Sequence, residues 1–354
     1  MKPLIAITMG DVCGIGPEIA ARTLADPETH AMARPVLVGS AARLAQARDL
    51  VGAEFEILTV APGAAFPAEP TEARVICVDP ALSDPALEVG DLPFGQVSAA
   101  AGHAAYEYLR LAIELSQAGR VGAIATAPLN KAALHAGGHL YPGHTEILAD
   151  LTGTESYSMM LATPKMKVIH LTTHVGLIEA IRRINPERTY QVIRLAHDTL
   201  TAAGQANPSI AVCGINPHAG ENGLFGEGEE EEKLIPGIAR ARDEGIDAHG
   251  PLPADTLFYR ASRGDFDVVV ACYHDQGHAP VKVQSIDEGV NITVGLRGGV
   301  VRTSVDHGTA FDIAGQGIAR HESLVAAIRY AVQLAPEGRG AAPVSAGSGA
   351  VPVS

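Results

Sequence analysis

The chain opens with LIAITMGDVCGIGPE at residues 4–18, a short apolar run that stops at a glycine loop. Residues 4–9 fit one buried strand, and the segment after the loop has helical periodicity. The same order of strand, loop and helix recurs along the chain. It is typical of α/β proteins, in which helices connect the strands of a mainly parallel sheet and cover its faces.

Further short strands are predicted from runs rich in Val, Ile and Thr. They cover residues 35–38, 55–60, 74–78, 123–126, 167–172, 210–215 and 267–272. Amphipathic helices lie between several of them, the longest at residues 97–117. Another spans 186–203, where Asn185 can act as the N-cap and Pro186 suits the first helical position. This alternation predicts a doubly wound α/β layer structure.

Composition restricts the class of protein. A length of 354 residues favours about two domains. Hydrophobic residues make up 47% and aromatic residues 4%, without Trp, so Ala, Val, Ile and Leu must fill the core. The balance of 26 Lys+Arg against 40 Asp+Glu gives a net charge of −14. Such a surface repels nucleic acids and anionic membranes, which are therefore not expected as partners.

Several segments are expected to carry no chemistry. The apolar run at residues 4–9 is too short for a signal peptide or a membrane span, so we expect a cytoplasmic protein. The four cysteines are far apart without a CxxC motif, and we assign them no function. The acidic run 227–232 is expected to be a solvated helix start. Residues 336–354, poor in charge and without periodicity, are expected to form a disordered tail.

The glycine loop at residues 10–18 is the first candidate site. Open α/β sheets bind ligands at the carboxyl ends of their strands, and this loop follows the first predicted strand. It could offer backbone amides to an anion at the start of a helix. The loop matches neither GxGxxG nor a Walker motif, so a plain strand-to-helix turn is the alternative.

A second candidate is His144-Thr145, which stands at the start of a predicted helix. The pair offers an imidazole, a hydroxyl and free backbone amides to one ligand. Simple capping of the helix by Thr145 is the alternative.

Three histidines follow predicted strands: His174, His218 and His274. Three imidazoles at strand ends can hold one divalent metal ion and leave a position open for substrate. A histidine of this kind taken alone is usually a hydrogen-bonded structural residue. His170 and His278 lie four residues from His174 and His274, respectively. Residues with this spacing lie on the same face only in a helix, and we expect strand and loop in these segments.

Acids and bases are concentrated in the last third of the chain. Asp255 and Asp275 could act as general bases or could orient metal ligands. Lys282 and Arg302 could bind phosphate or carboxylate, with surface ion pairs as the alternative reading. Asn291 lies between these two cations in the sequence.

Taken together, these blocks resemble one enzyme family. They are ITMGD with GIGPE at residues 7–18, GHTE at 143–146, GINPHAGE at 214–221, GPLPADTLF at 250–258, YHDQGH at 273–278 and RTSVDHGTA at 302–310. In this order they resemble the 4-hydroxythreonine-4-phosphate dehydrogenase family of pyridoxal phosphate biosynthesis. The likeness runs from about residue 4 to residue 334.

The resemblance implies a fold and an activity. The fold is two α/β/α domains of the isocitrate and isopropylmalate dehydrogenase type, with the active-site cleft between them and without the Rossmann glycine motif. We expect residues 1–130 with 300–335 as one domain and 131–299 as the other, which carries the metal and dimer contacts. The implied reaction is NAD- or NADP-dependent oxidation and decarboxylation of 4-phosphohydroxy-L-threonine to 3-amino-2-oxopropyl phosphate.

The resemblance also assigns roles to residues. His174, His218 and His274 fall on the ligands of one divalent metal ion (Zn, Mg, Mn or Co). His144, Thr145, Lys282, Asn291 and Arg302 fall on substrate-binding positions, and Asp255, Asp275 and Lys282 on catalytic ones. The family forms homodimers with shared active sites, which would place His174 opposite His218 and His274 of the other subunit.

Departures from the family pattern leave the substrate open. The spacing between Asn291 and Arg302 is about two residues longer than usual, and we expect the insert, with Arg297-Gly298-Gly299, beside the acid-binding pocket. Paralogous substrates are therefore alternatives, namely D-threonate or D-erythronate 4-phosphate, or a dihydrodiol carboxylate of aromatic catabolism. Retention of His144-Thr145 favours a phosphorylated substrate. A metal-dependent hydrolase and a non-catalytic binding protein are alternatives from other classes.

Overall fold

The computed structural model describes residues 2–284 and 289–340, together with the backbone of Val351–Pro352. The chain divides into two compact units, 1–154 with 296–354 and 155–295. Both junctions differ from the expected ones at 130 and 300. Residues 131–154 belong to the first unit because the helices they form pack on a long helix of that unit, and a Cβ on its Gly102 would lie only 1.9 Å from the Ala133 carbonyl oxygen.

The first unit alternates strands and helices as the sequence predicts. Its elements are β1 (Leu4–Thr8), α1 (Gly16–Ala25), α2 (Pro27–Met32), β2 (Arg34–Val38), α3 (Ala41–Val51), β3 (Glu56–Val60), β4 (Arg74–Val78), α4 (Ala99–Gln117), β5 (Ala123–Thr126), α5 (Lys131–Ala136) and α6 (His144–Leu151). After the second unit the chain returns with β12 (Val300–Ser304), α12 (Glu322–Leu334) and β13 (Val351–Pro352).

The second unit has its own strands and helices. They are β6 (Ser158–Thr163), β7 (Met166–His170), α7 (Leu177–Arg183), α8 (Pro186–Ala202), β8 (Ile210–Cys213), α9 (Ile235–Asp243), β9 (Ala248–Leu252), α10 (Ala254–Ser262), β10 (Val268–Ala271), α11 (His274–Gln284) and β11 (Val290–Leu296).

The sheet of the first unit is parallel in the order β3-β4-β2-β1-β5-β12, with β13 pairing antiparallel to β3. β1, β2 and β5 are buried along their whole length. Strands buried on both faces are rich in Val, Ile and Leu rather than alternating, which is why short apolar runs marked them in the sequence.

The sheet of the second unit has the order β11-β6-β7-β10-β8-β9. β7, β10, β8 and β9 are parallel, whereas β11 and β7 are antiparallel to β6. The carboxyl ends of β7, β10 and β8 therefore lie side by side at one edge. His174, His218 and His274 follow these three strands.

The α/β prediction is confirmed, and each of the eight predicted strands corresponds to an observed one. The other five strands, β6, β9, β11, β12 and β13, lie outside the predicted ones. β6 reads SMMLAT, whose Met, Leu and Ala favour helices, and β9 contains Gly and Pro. These segments become strands because they pair with neighbouring strands, and the conformational preferences of their own residues do not predict such pairing.

Two helix predictions are confirmed closely. α4 ends at Gln117 as predicted, and the Asn185 side chain caps α8 by accepting a hydrogen bond from the Arg188 amide at 2.9 Å. Among the described helices, none is long and apolar enough to cross a membrane.

The predicted tail begins too early. The Gly340 carbonyl accepts hydrogen bonds from the Leu4 amide at 3.0 Å and from Arg34 Nη2 at 2.6 Å, so residues 336–340 are part of the fold. Residues 351–352 pair with β3 through their backbone. The rest of the predicted tail, 341–350 and 353–354, lies outside the described residues.

Candidate active site

The glycine loop after β1 is closed by its own contacts. Asp11 Oδ1 accepts from the Cys13 amide at 2.9 Å, and the Ile15 amide donates to the Thr309 carbonyl at 3.0 Å. A Cβ on Gly14 would lie 2.8 Å from the Thr309 side chain, so this glycine is needed for close packing. These contacts favour the plain turn over an anion-binding loop.

Asp11 is nevertheless an unusual residue of this loop. Its side chain is fully buried, and Oδ2 has no hydrogen-bond partner among the described residues. Burial raises the pKa of Asp11 to about 6, opposed by the Cys13 amide and by the charge of Arg43. A buried carboxyl group with a free oxygen favours its neutral form.

Arg302 on β12 is a buried cation held by a hydroxyl group. Its Nε and Nη2 both donate to Thr126 Oγ1, at 3.0 and 2.7 Å. Thr126 is the last residue of β5 and in turn donates to the Thr303 carbonyl at 3.4 Å. Arg302 forms no ion pair with any described residue. Burial lowers its pKa to about 9, so the side chain still carries its charge at neutral pH.

His144 and Thr145 form the first turn of α6, in the same unit as Arg302, and both are half-buried. Burial, and after it the charge of Arg302, holds the pKa of His144 well below its usual range. The imidazole is therefore neutral at physiological pH. A neutral imidazole, a hydroxyl and a buried guanidinium suit an oxyanion such as phosphate or carboxylate.

Stacked aromatic rings fix the loop that leads into α6. The His139 ring lies 3.7 Å from the Tyr106 ring, nearly parallel to it, and its Nε2 is 2.8 Å from His103 Nδ1. Tyr141 in the same loop donates its hydroxyl hydrogen to Asp150 of α6. The loop is thus held to α4 through His139 and to α6 through Tyr141.

The other two predicted substrate-binding residues belong to the second unit. Lys282 is an exposed residue in the last turn of α11, and Asn291 is a half-buried residue of β11. Their substrate contacts stay predictions.

Two of the three predicted metal ligands meet within one chain. The rings of His174 and His274 have centroids 5.7 Å apart. Metal–nitrogen bonds of about 2.1 Å put the centroids of two coordinating rings about 5 to 6 Å apart, so this pair fits two positions around a divalent cation. In the described ranges 2–284 and 289–340, no three His, Cys, Asp or Glu side chains of one chain are grouped closely enough to hold a metal ion.

His218 lies in a loop with a strained backbone. Residues 218, 219, 221 and 222 have φ between 43° and 57°, the left-handed region that non-glycine residues rarely adopt. His218 Nδ1 is 2.9 Å from Glu221 Oε2, and its ring meets Phe225 edge-on. Strain of this kind persists where surrounding contacts fix it, and it is common at functional sites.

Glu230 holds the backbone just before the strained residues. The prediction that residues 227–232 form a solvated helix start is wrong at Glu230. Glu230 is buried, with Oε1 accepting from the amides of Ile215 and Asn216 at 2.9 and 2.7 Å. Its Oε2 accepts from Asn216 Nδ2 at 2.9 Å. A run of acidic residues predicts a solvated helix. The sequence does not indicate which of its carboxylates points inward and binds the loop.

The expectation that residues 274–278 are not helical is also wrong. They begin α11, and the rings of His274 and His278 stack with centroids 3.8 Å apart. His278 Nδ1 is 3.1 Å from Nε2 of His170, which is fully buried. The four-residue spacing of His274 and His278 was the available signal. Residues 170–174, in contrast, run from the end of β7 into a loop, as expected.

The two candidate acids have different surroundings. Asp275 Oδ1 is 2.7 Å from His274 Nδ1, which fits a carboxylate that orients a metal-binding imidazole. Asp255 is exposed in the first turn of α10, and its Oδ1 accepts from the Thr256 amide at 2.9 Å. Its catalytic role stays a prediction.

The insert before Arg302 lies in the turn between β11 and β12. A Cβ on Gly298 would lie 3.2 Å from the Gln117 side chain, and Gly299 accepts from Arg339 at 3.0 Å. The turn therefore packs at the amino end of β12, whereas Arg302 reaches Thr126 at the carboxyl end of β5. The expected position of the insert beside the acid-binding pocket stays a prediction.

Comparison with known proteins decides the family. Residues 31–331 match the model of the family described as "Pyridoxal phosphate biosynthetic protein PdxA". The chain belongs to the PdxA family. One relative in this family, the D-threonate 4-phosphate dehydrogenase of Cupriavidus necator, is 55% identical over 338 residues, which are 94% of this chain and 97% of the relative.

Two further PdxA-family comparisons support the assignment. The 4-hydroxythreonine-4-phosphate dehydrogenase of Geobacter metallireducens is 45% identical and covers 94% of this chain and 96% of its own length. The crystal structure of a 4-hydroxythreonine-4-phosphate dehydrogenase from Burkholderia phymatum is 54% identical, covers 95% of this chain and 99% of its own, and superposes with a TM-score of 0.88. The family resemblance predicted from the sequence is confirmed.

Proposed function

We propose that this protein is an NAD(P)- and divalent-metal-dependent dehydrogenase that oxidises a 4-phosphorylated, four-carbon hydroxy acid with loss of CO2. The observation that carries the proposal is Arg302, a buried cation bonded to a hydroxyl and without an ion pair among the described residues. The charge of Glu146 acts on Arg302 without forming a salt bridge. A buried cation without a direct ion pair is costly, which favours an anionic ligand as its partner.

The reaction balances without any further reactant. The hydroxyl at C3 gives its proton to a base, and the hydride on C3 passes to NAD(P)+. The product is a β-keto acid, in which the C1–C2 bond breaks to release CO2 and leave the electron pair at C2. C2 then takes up a proton, equivalent to the one that the C3 hydroxyl gave to the base, and the ketone product forms. His174, His218 and His274 would hold a divalent cation, which would supply Lewis acidity for both the oxidation and the decarboxylation.

The residues of this chain divide the work. Arg302, His144 and Thr145 would bind an oxyanion of the substrate, and their donors suit the phosphate. His174, His218 and His274 would hold the cation, with Asp275 keeping the proton of His274 on Nδ1 so that Nε2 is free for the metal. Asp255 and Lys282 are the candidates for proton transfer.

The first substrate we propose is D-threonate 4-phosphate. Three relatives with that name are 46–55% identical to this chain, and two named 4-hydroxythreonine-4-phosphate dehydrogenase are 42–45% identical. The Burkholderia phymatum structure, which carries the second name, is 54% identical. The two substrates differ at C2, which carries a hydroxyl in one and an amino group in the other. 4-Phosphohydroxy-L-threonine is the second candidate, and its product would be 3-amino-2-oxopropyl phosphate.

We also propose a cytoplasmic homodimer in which both subunits contribute to each metal site. The support is that one chain brings together a pair of imidazoles, not a triad, among its described residues. A two-fold dimer would create two equivalent sites of this kind.

Steady-state assays of NAD(P)H formation test the proposal. Purified protein is assayed with D-threonate, D-erythronate and hydroxythreonine 4-phosphates, each with NAD and with NADP. We expect D-threonate 4-phosphate to give the highest kcat/KM, exhaustive chelation to abolish activity, and Zn²⁺, Mn²⁺, Co²⁺ or Mg²⁺ to restore it. A hydrolase or a binding protein would form no reduced cofactor with any of them, and full activity after verified metal removal would contradict the metal assignment.

A further inference from the structure

Two buried histidines form a hydrogen-bonded chain behind His274. His170 is fully buried on β7, and His278 is 6% exposed on α11. His170 Nδ1 lies 3.2 Å from the Met159 carbonyl oxygen, and His170 Nε2 lies 3.1 Å from His278 Nδ1. The chain of contacts thus runs from a backbone carbonyl through His170 to His278.

The backbone carbonyl determines the tautomers of both rings. A carbonyl oxygen can only accept, so His170 Nδ1 must carry the proton that bonds to Met159. Burial and the neighbouring His278 lower the pKa of His170 to about 3, so its ring is neutral and Nε2 has a lone pair. His278 Nδ1 must then be the donor, shared between His170 Nε2 and the His274 carbonyl at 3.2 Å.

The ring held in this way lies flat against His274. The His278 and His274 centroids are 3.8 Å apart and the ring planes differ by 9°. The other constraint on His274 is at its edge, where Asp275 accepts from Nδ1 at 2.7 Å. One neighbour therefore fixes the plane of the His274 ring and the other fixes its tautomer.

The helix is shaped to allow the contact. A Cβ on Gly277 would lie 2.4 Å from His170 Nε2 and 2.8 Å from the Val168 side chain. Any side chain at position 277 would push β7 and α11 apart and lengthen the bond between the two histidines. Glycine is unfavourable in the interior of a helix, so its presence here fits the close approach of His170.

We propose that His278, held by His170, is a positioning residue that orients the imidazole of His274 toward the divalent cation. The inference rests on the proposed function, because it takes His274 as a metal ligand. Partners in the outer shell of a metal site set the orientation of its ligands, and their loss typically weakens metal binding by about ten- to a hundredfold.

The test is a Co²⁺ titration of the metal-free full-length protein, followed by visible absorption. His278→Leu removes both the ring and the hydrogen bond, and we expect it to weaken Co²⁺ binding at least about tenfold. His278→Phe keeps a flat ring against His274, and we expect it to restore most of the affinity. His249→Leu is the control, because His249 also contacts a carboxylate and an aromatic ring, those of Asp247 and Phe266, in the same unit.

The outcomes separate the inference from the proposed function. If the wild-type protein binds no Co²⁺, the metal part of the proposed function fails. If the wild type binds Co²⁺ and folded His278→Leu binds it equally well, the positioning role is wrong. In steady-state assays the role predicts a lower kcat with little change in the KM for the phosphorylated acid.

A second measurement does not depend on the Leu variant folding. In ¹⁵N-histidine-labelled wild-type protein, NMR should show His170 and His278 as neutral Nδ1–H tautomers, assigned by difference against His278→Phe. A His278 ring protonated on Nε2 alone would overturn the hydrogen-bonded chain and with it the proposal.

Discussion

Arg302 directs two donors at one oxygen, with its Nε 3.0 Å and its Nη2 2.7 Å from Thr126 Oγ1. The side chain makes no other hydrogen bond within the described part of the chain. A single hydroxyl thus orients a buried guanidinium that has no ion pair among the described residues, in a unit that also places His144 and Thr145 at a helix start. This relationship supports Arg302 as a residue that binds the substrate.

Removal of the Arg302 charge should weaken substrate binding. We expect Arg302→Ala to raise the KM for the phosphorylated acid at least about tenfold, the scale of one lost charge-assisted contact. Lys282→Ala should act in the same direction. The control is Arg320→Ala, because Arg320 is a strongly exposed residue paired with Glu322. Kinetics unchanged in Arg302→Ala, as measured by NAD(P)H formation, would contradict the role.

Thr126 should matter for stability as well as for binding. Thr126→Val leaves two buried guanidinium donors without an acceptor, and we expect it to lower the free energy of unfolding by about 1–3 kcal/mol. Thr126→Ser keeps the hydroxyl and is the matched control. Urea unfolding of the three proteins measures the difference; equal midpoints for the Val and Ser variants would show that the hydroxyl is dispensable.

Asp11 predicts a specific dependence of stability on pH. Its folded pKa of about 6 lies above the unfolded value of 3.8, so its ionisation destabilises the fold as pH rises through 6. Asp11→Asn removes the ionisation but keeps an oxygen for the Cys13 amide. Relative to the wild type, we expect the variant to gain about 1 kcal/mol of unfolding free energy between pH 5 and 7.5. Urea titrations across this range test the sign, and a difference independent of pH would contradict it.

Subunit mixing should reveal which histidines share a chain. The resemblance divides the ligands into His174 of one subunit and His218 with His274 of the other, whereas the structure brings His174 and His274 together in one chain. We expect mixtures of His218→Ala with His274→Ala subunits to recover about a quarter of wild-type activity, since half the dimers are hybrids with one intact site.

The companion mixture discriminates between the two divisions. His174→Ala with His274→Ala should stay inactive if the pair belongs to one chain, and should recover about a quarter of the activity under the division that the resemblance implies. No recovery in any mixture, with subunit exchange shown by mass spectrometry, would assign all three ligands to one chain.

The sequence predicted the local features of this fold better than its long-range ones. Apolar runs marked β1 and β10 because buried parallel strands need no alternation. The sequence does not predict β6, because its Met, Leu and Ala residues form a strand only through pairing with β7 and β11. The domain junction was misplaced for the same reason, since α5 and α6 belong to the first unit through packing on α4.

In the candidate site, too, the sequence predicted local features better than long-range contacts. Residue types and positions at strand ends singled out His174 and His274, whose proximity the structure then supplied. The four-residue spacing of His274 and His278 fits one helix face, but the sequence does not indicate that α11 begins directly at His274. The prediction of a solvated carboxylate is wrong for Glu230, because a run of acidic residues does not indicate which one points inward and binds backbone amides.

The most direct test of the proposed oxidative decarboxylation is the stoichiometry of one reaction. D-Threonate 4-phosphate labelled with ¹³C at C1 is incubated with metal-loaded protein and NAD+, and NADH, ¹³CO2 and inorganic phosphate are measured together. We predict one NADH and one ¹³CO2 for each molecule consumed, with dihydroxyacetone phosphate as the product and no phosphate released. Release of inorganic phosphate without NADH, or NADH without ¹³CO2, would contradict oxidative decarboxylation by this protein.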